Sequence, residues 1–384
     1  MEVTTTAYRS DFHRNWYKLD KVKDSTGTKY GIAELLKDPS LSPDAFNIIT
    51  GASSANGDAL DVKANNRTYY AQGVQSVLSF LFNTKAISHK VDLGIRLHQD
   101  QVDRLQWVDE FAMDNGVMKL THAGVKGTES NRVETANAVA SYVQYQLRYG
   151  KLTVTPGLRY ENIFMDREDY GKNDPDRTGV DLVERSNQTE VFIPGLGIDY
   201  KFTKYLSAFG GVHKGFSPPG SKEGTQPEQS INYELGTRYG KNAVQGQVVA
   251  FYSDYDNLLG SDLAAAGGSG TSQVFNGGAA VAKGLEVQAT YDMLANNRTS
   301  FNLRVSVAYT YTNAFFLSSF KSEFEGWGEV ERGDELPYLA HHQLTLILSL
   351  EHRNFNINIS GRYLGEMRTR PGQSDLSTDE NIDA

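Results

Sequence analysis

Three arginines, Arg67, Arg104 and Arg132, carry side chains that could bind an anion together. Each lies near a predicted strand end that borders a long loop. A guanidinium group donates hydrogen bonds in a planar fork that fits a carboxylate, so several such groups can hold an anion with more than one carboxylate. If the three strands are neighbours, these side chains could converge at one mouth of a barrel. Taken singly, each arginine is better explained as a solvated surface residue.

A second group of charged residues shares the polar face of strands that alternate apolar and polar residues. Such charges either pair with other polar groups along the wall of a sheet or line a path for a charged solute. We favour the structural interpretation. The group consists of Arg148, Glu234, Arg238, Glu286 and Arg304.

Catalytic and metal-binding patterns do not emerge from the sequence. His213, His341 and His342 lie at strand ends or in loops, without a Ser or Asp spacing that resembles a catalytic triad. Acidic loop residues such as Asp254 and Asp256 do not form the spaced Asp-x-Asp-x-Asp-Gly loop of a calcium site. The sequence therefore predicts neither an enzyme nor a resident metal or cofactor.

Composition narrows the class of protein. The chain has 384 residues, no cysteine and a formal net charge of -9, which argues against a general nucleic-acid surface. No run of about 18 apolar residues is present, so a transmembrane helix is not expected. A transmembrane β-strand needs only about 9–11 residues with every second one apolar.

The period-two pattern recurs along the whole chain. Residues 139–147 and 152–160 alternate apolar and polar side chains on either side of a tight turn, and Leu344, Leu346, Leu348 and Leu350 share one face of a later strand. Connections alternate between short and long, and the polar faces carry Arg, Glu and Gln, which a narrow sandwich core could not bury. We therefore predict an all-β, antiparallel transmembrane β-barrel with about 13 strands in this chain.

The two ends of the chain carry further expectations. The first strand is expected over Glu2–Phe12, and residues 14–66 are expected to form a long extracellular loop with a short helix over Ile32–Lys37. Met1 is not followed by a signal-peptide pattern, and Asp375–Ala384 reads as an acidic loop. These features suggest that residues 1–384 are an internal piece of a longer barrel protein.

Three stretches resemble one family. His213–Gly240, which contains HKGFSPP and PEQSINYELGTRYG, and Val274–Tyr291 resemble the barrel signatures of TonB-dependent outer-membrane receptors. Val62–Gln75 resembles the ferric-dicitrate-receptor-like branch of that family. The resemblance implies a 22-stranded barrel in the outer membrane of a Gram-negative bacterium, with a plug domain that is absent from this chain.

The same resemblance implies a function and partners. Members import cargo, here an Fe(III) chelate such as ferric citrate or a siderophore, by coupling to the TonB–ExbB–ExbD complex through the plug. It further implies that the wall charges meet the plug and that mouth arginines bind the chelate anion in the dicitrate branch. Other cargo (a vitamin or a glycan), a passive porin or adhesin, and a soluble β-rich enzyme remain alternatives.

Overall fold

The computed structural model describes residues 1–221, 224–261, 274–295, 300–322, 327–374 and 381–382. Most of them belong to one large antiparallel sheet. We number its long strands in chain order: β1 Glu2–Lys23, β2 Ala55–Thr84, β3 Ile87–Asp114, β4 Ser130–Tyr149, β5 Leu152–Asp169, β6 Val183–Lys201, β7 Leu206–Ser217, β8 Glu228–Lys241, β9 Val244–Tyr255, β10 Ala280–Asp292, β11 Phe301–Phe316, β12 His342–His352 and β13 Phe355–Leu364.

Short elements complete the described structure. Two short strands extend the sheet, Lys29–Gly31 beside β1 and Val117–His122 beside β3. Three small pairs lie apart from it: Leu259–Ser261 with Val274–Asn276, Phe320–Lys321 with Glu329–Val330, and Met367–Arg368 with Asn381–Ile382. The helices are α1 Ile32–Lys37, a 3-10 turn Pro39–Leu41 and α2 Pro43–Ile49. None of these described helices has the length and apolar character needed to cross a bilayer.

Each long strand pairs with the next one along the chain, so the sheet is an up-and-down meander. Two-residue turns join β2 to β3 and β4 to β5, whereas residues 24–54 and 317–341 are long connections. Because the strands alternate in direction, the short turns gather at one end of the sheet and the long loops at the other. The thirteen long strands among the described residues confirm the strand number and the alternation expected from the sequence.

The two faces of the sheet differ in chemistry. Leu346 on β12 lies opposite Val307 on β11 and is 47% exposed. Many other apolar residues of this face are exposed as well. The next residue, Thr345, lies opposite Ala308 and Arg362 on the other face. Successive residues alternate between faces, so one face of the sheet is apolar and the other polar. The apolar face requires an apolar environment to cover it.

Aromatic rings border the apolar face at both ends. Near the short turns, His89 stacks on Phe82 with ring centroids 4.6 Å apart. Nearer the long loops, Tyr160 and Phe192 have centroids 5.0 Å apart. On β6 the two borders are Phe192 and Tyr200, about 26 Å apart along the strand at about 3.3 Å per residue. This height is comparable to the roughly 25 Å apolar band of outer-membrane barrels, which is flanked by aromatic girdles.

The polar face is tightly packed around Gly284 on β10. A Cβ atom at this position would lie 2.0 Å from the carbonyl oxygen of Tyr311 and 2.7 Å from the Phe251 ring. We expect Gly284→Ala to destabilise the sheet by about 1–3 kcal/mol because the neighbouring backbone must shift. Urea unfolding of the purified receptor in detergent measures this loss. Gly361→Ala on β13 is the control, since nothing lies within 4 Å of its Cβ; equal losses would contradict the packing.

The predicted loop over residues 14–66 was too long. β1 continues to Lys23 and β2 begins at Ala55, so the connection spans residues 24–54. The apolar alternation that marks a lipid-facing strand ends earlier, but backbone pairing needs no apolar face and continues beyond it. The helix predicted over Ile32–Lys37 is confirmed, and the second helix, Pro43–Ile49, was not predicted.

The 24–54 connection has a small core of its own. Ser42 caps α2 by accepting a hydrogen bond from the Ala45 backbone, and Pro43 occupies the first helical turn. Apolar residues of both helices and of the extended strands β1 to β3 form one buried cluster: Val22, Leu35, Ala45, Ile48, Ala59, Leu60 and Met113. The connection is therefore packed against the extended ends of β1, β2 and β3.

Candidate functional site

Four arginines occupy one cross-strand row on the polar face. Arg14 on β1 pairs with Arg67 on β2, Arg67 pairs with Arg104 on β3, and Arg104 pairs with Arg132 on β4. We call these four residues the arginine row. The three arginines singled out from the sequence are therefore direct neighbours. On β3 the apolar belt ends at Leu97, so the row lies beyond it, toward the long loops.

Three of the four members of the row are buried. Arg67, Arg104 and Arg132 are 2%, 4% and 8% exposed, whereas Arg14 is exposed. Polar neighbours orient two of them: Arg67 donates from Nε to Asn65 Oδ1 at 2.8 Å, and Arg132 Nε lies 2.8 Å from Glu134 Oε1. Water is thus largely removed from three guanidinium groups that lie side by side, which strengthens their electrostatic interactions.

The next row of side chains on the polar face, which contains Glu134, Arg167 and Arg185, adds further charge. Arg167 on β5 lies opposite both Glu134 and Arg185, and Asp169 lies opposite Arg132. The two rows together place six guanidinium groups on β1 to β6 against two carboxylates, those of Glu134 and Asp169. This part of the polar face is strongly positive and suits a multiply charged anion.

Burial and like charge act together on Arg104. Burial, followed by repulsion from Arg132 and Arg67, lowers the pKa of Arg104 to about 10. Burial also lowers the pKa of Arg132, although Glu134 acts in the opposite direction. The charged forms of both side chains are therefore disfavoured in the folded protein relative to the unfolded chain. An anion bound beside them would relieve this penalty.

Arg104→Gln is expected to raise the stability of the unliganded protein at pH 8, by on the order of 1 kcal/mol. The folded-state pKa of Arg104 is depressed, so the penalty of its charge is fully present below about 10 and fades as pH rises above that value. The difference in Tm between Arg104→Gln and the parent protein should therefore shrink between pH 8 and pH 11. A variant that is less stable than the parent at pH 8 would show that the Arg104 charge stabilises the fold.

The five wall charges lie on the polar face but do not form one cluster. Glu234, Arg238 and Glu286 line one open cavity of ≈ 490 Å³ on β7 to β10. Arg238 lies 3.6 Å from Asp199 and stacks on Phe209, with its guanidinium carbon 3.7 Å from the ring centroid.

The remaining two wall charges lie elsewhere. Arg304 forms an ion pair with Glu351. Arg148 lies opposite Ser88 and Thr153 near the short turns. The structure thus brings the three mouth arginines together and distributes the wall charges over separate strands.

Several residues of the site were not predicted from the sequence. Strand pairing extends into the charged segment 166–188 from both sides, because β5 ends at Asp169 and β6 begins at Val183. Arg167 and Asp169 are therefore wall residues, and Arg14 belongs to β1 rather than to a loop. In the part of the chain that the structure describes, no group of three or more His, Cys, Asp or Glu side chains could hold a metal ion.

Comparison with known proteins relates this architecture to a family. Residues 2–383 match the family model "TonB dependent receptor-like, beta-barrel". Among solved structures, the chain is similar to the ferric citrate transporter FecA in its unliganded form (19% identity, TM-score 0.62), covering 82% of this chain and 44% of that one. It is also similar to the siderophore receptor PiuA from Acinetobacter baumannii (14% identity, TM-score 0.65), covering 95% and 52%.

A third similar structure is the ferric-catecholate import receptor Fiu from K12 E. coli, at 15% identity and a TM-score of 0.60, covering 85% of this chain and 49% of that one. The chain thus spans about half the length of these solved structures. Identities this low establish the shared fold and leave the cargo open. The match over nearly all residues and the common barrel fold show that this chain belongs to the TonB-dependent receptor β-barrel family.

Proposed function

We propose that this chain forms part of the wall of an outer-membrane receptor that imports an anionic ferric chelate, with ferric citrate as the favoured cargo. The observation that carries the proposal is the arginine row. Arg67, Arg104 and Arg132 are consecutive cross-strand partners at the long-loop end of the polar face. Citrate carboxylates that remain free in the chelate match guanidinium donors in charge and in hydrogen-bond geometry.

Burial of the row determines how the anion would bind. Arg67, Arg104 and Arg132 are buried, so their guanidinium groups must become accessible before they can contact cargo. Arg14 is exposed at the end of the row and offers a first contact. A like-charged row that is disfavoured without an anion and relieved by one binds an anion in preference to a neutral chelate.

The membrane setting follows from the faces of the sheet. The apolar face, bordered by aromatic rings, would contact outer-membrane lipid, and the polar face would line the lumen. Import against a gradient needs energy, which the family resemblance assigns to a plug domain acted on by the TonB–ExbB–ExbD complex. The wall charges Arg148, Glu234, Arg238, Glu286 and Arg304 would meet the plug.

Uptake of radioactive ferric citrate tests this function. The receptor is produced from its complete gene in a Gram-negative host that lacks its own ferric citrate receptor. We expect uptake that stops when the proton gradient is collapsed or when TonB is removed. A passive porin-like channel is the alternative, and uptake that persists without TonB would establish it. If ferric citrate is not taken up but a vitamin or a glycan is taken up in an energy-dependent way, that compound is the cargo instead of ferric citrate.

A further inference from the structure

A loop clasp lies directly behind the arginine row, on the opposite face of the sheet. It is built by residues 170–182, which connect β5 to β6. Arg177 in this connection donates both terminal guanidinium nitrogens to Asp103, at 3.1 and 2.5 Å. Its Nε donates to Asn131 Oδ1 at 2.7 Å. One side chain therefore joins β3 and β4.

The position of the clasp relates it to the row. Asp103 precedes Arg104 on β3, and Asn131 precedes Arg132 on β4. Successive residues of a strand alternate between faces, so Asp103 and Asn131 lie on the face opposite to the two arginines. In register, Leu105 pairs with Asn131 and Asp103 pairs with Val133. The hydrogen bonds from Arg177 to Asp103 and Asn131 therefore join β3 and β4 diagonally, on the face opposite to the Arg104–Arg132 pair.

The rest of the connection holds Arg177 in place. Asn131 is 1% exposed and donates from Nδ2 to the Asp174 carbonyl oxygen at 2.6 Å. The Asp174 carboxylate accepts from the Thr178 and Gly179 backbones at 2.8 Å each. Arg177 itself has a φ of 55°, in the left-handed region that residues with a side chain rarely adopt. These contacts fix the direction of the guanidinium fork.

We propose that Arg177 is a positioning residue for the arginine row. Arg104 and Arg132 carry like charges on paired strands, and their repulsion favours separation of β3 from β4 at this level. The Arg177 fork joins the same two strands from the other face through a charge-assisted pair with Asp103 and a hydrogen bond to Asn131. It keeps the guanidinium groups at the spacing that a chelate anion requires. This inference rests on the proposed function of the row.

Ferric citrate binding to the purified receptor, produced from its complete gene, tests the role of Arg177. We expect Arg177→Met to weaken binding by about tenfold, which corresponds to the loss of about one charge-assisted contact with the anion. Arg177→Lys keeps the charge but lacks the fork, so its loss should be intermediate. Lys172→Met is the matched control. It removes one positive charge from the same connection, where Lys172 is 62% exposed and lies 3.9 Å from Glu129, and it should bind like the parent receptor.

A double-variant cycle separates positioning from general stabilisation. If Arg177 acts through the row, Arg177→Met should add little to the loss already caused by Arg104→Gln. Hydrogen exchange provides a readout that needs no cargo: backbone amides at 103–106 and 130–133 should exchange faster in Arg177→Met and not in Lys172→Met. Additive losses in the cycle, or unchanged exchange at these segments, would overturn the role of Arg177.

The two proposals fail in different ways. If Arg104→Gln weakens ferric citrate binding and Arg177→Met does not, the row binds cargo and Arg177 does not position it. If the parent receptor does not bind ferric citrate, the cargo proposal fails. Hydrogen exchange alone then decides whether Arg177 holds β3 and β4 together.

Discussion

Arg104→Gln is expected to weaken ferric citrate binding by about tenfold to a hundredfold. A hydrogen bond between charged groups contributes about 1.5–3 kcal/mol, and each 1.4 kcal/mol is a factor of ten in affinity. Arg104 is the central buried member of the row, with arginines as partners on both sides. Its loss therefore removes a contact from the middle of the site. Titration of the receptor with ferric citrate at low and moderate salt measures the effect.

Arg67→Gln and Arg132→Gln should give losses in the same direction. Arg132 should show the smaller one, because its Nε already lies 2.8 Å from Glu134. Arg148→Gln supplies the control, since Arg148 is on the same face but near the short turns. If all three row variants bind like the parent receptor at both salt concentrations, the row is a structural feature of the wall, and the choice of cargo would then rest on resemblance alone.

Leu346→Arg is expected to destabilise the barrel by about 2–4 kcal/mol, the cost of arginine on the lipid face near the middle of the bilayer. Leu346 is 47% exposed on the apolar face. It lies between the aromatic borders of β12, which are His342, four residues before it, and His352, six residues after it. Unfolding of the receptor in lipid vesicles by denaturant measures this cost.

Thr310→Arg is the matched control for that experiment. Thr310 is on the polar face of the adjacent strand, opposite Glu286 and Gln343, so an arginine there meets a carboxylate and the lumen. We expect a change within about 0.5 kcal/mol, as for most surface substitutions. Similar losses from both variants would mean that the two faces of β11 and β12 are assigned wrongly.

Much of the sheet could be predicted because membrane strands carry a two-residue repeat. The shared face of Leu344, Leu346 and Leu348 follows directly from that repeat, and the structure places all three on the apolar face. Ile32–Lys37 was predicted as a helix because its apolar spacing is helical and Pro39 follows. These signals are local, so a single sequence contains them.

The site could be predicted only in part because it depends on register. Arg67, Arg104 and Arg132 were selected as strand-end arginines, but their direct pairing is set by the turns that join β2, β3 and β4. Arg14 was missed because β1 continues past the apolar belt, where no alternation marks a strand. Arg177 was missed for a different reason: its partners, Asp103 and Asn131, are distant in sequence.

Selectivity for anionic cargo is the property that the arginine row most directly predicts. The affinities of the receptor for ferric citrate and for an uncharged ferric trihydroxamate can be compared in the parent protein and in Arg104→Gln. If the row binds the chelate through its charge, the parent receptor should bind ferric citrate more tightly than the uncharged chelate. Arg104→Gln should then lose affinity for ferric citrate alone. Equal affinities of the parent receptor for the two chelates, or equal losses for both in Arg104→Gln, would contradict it.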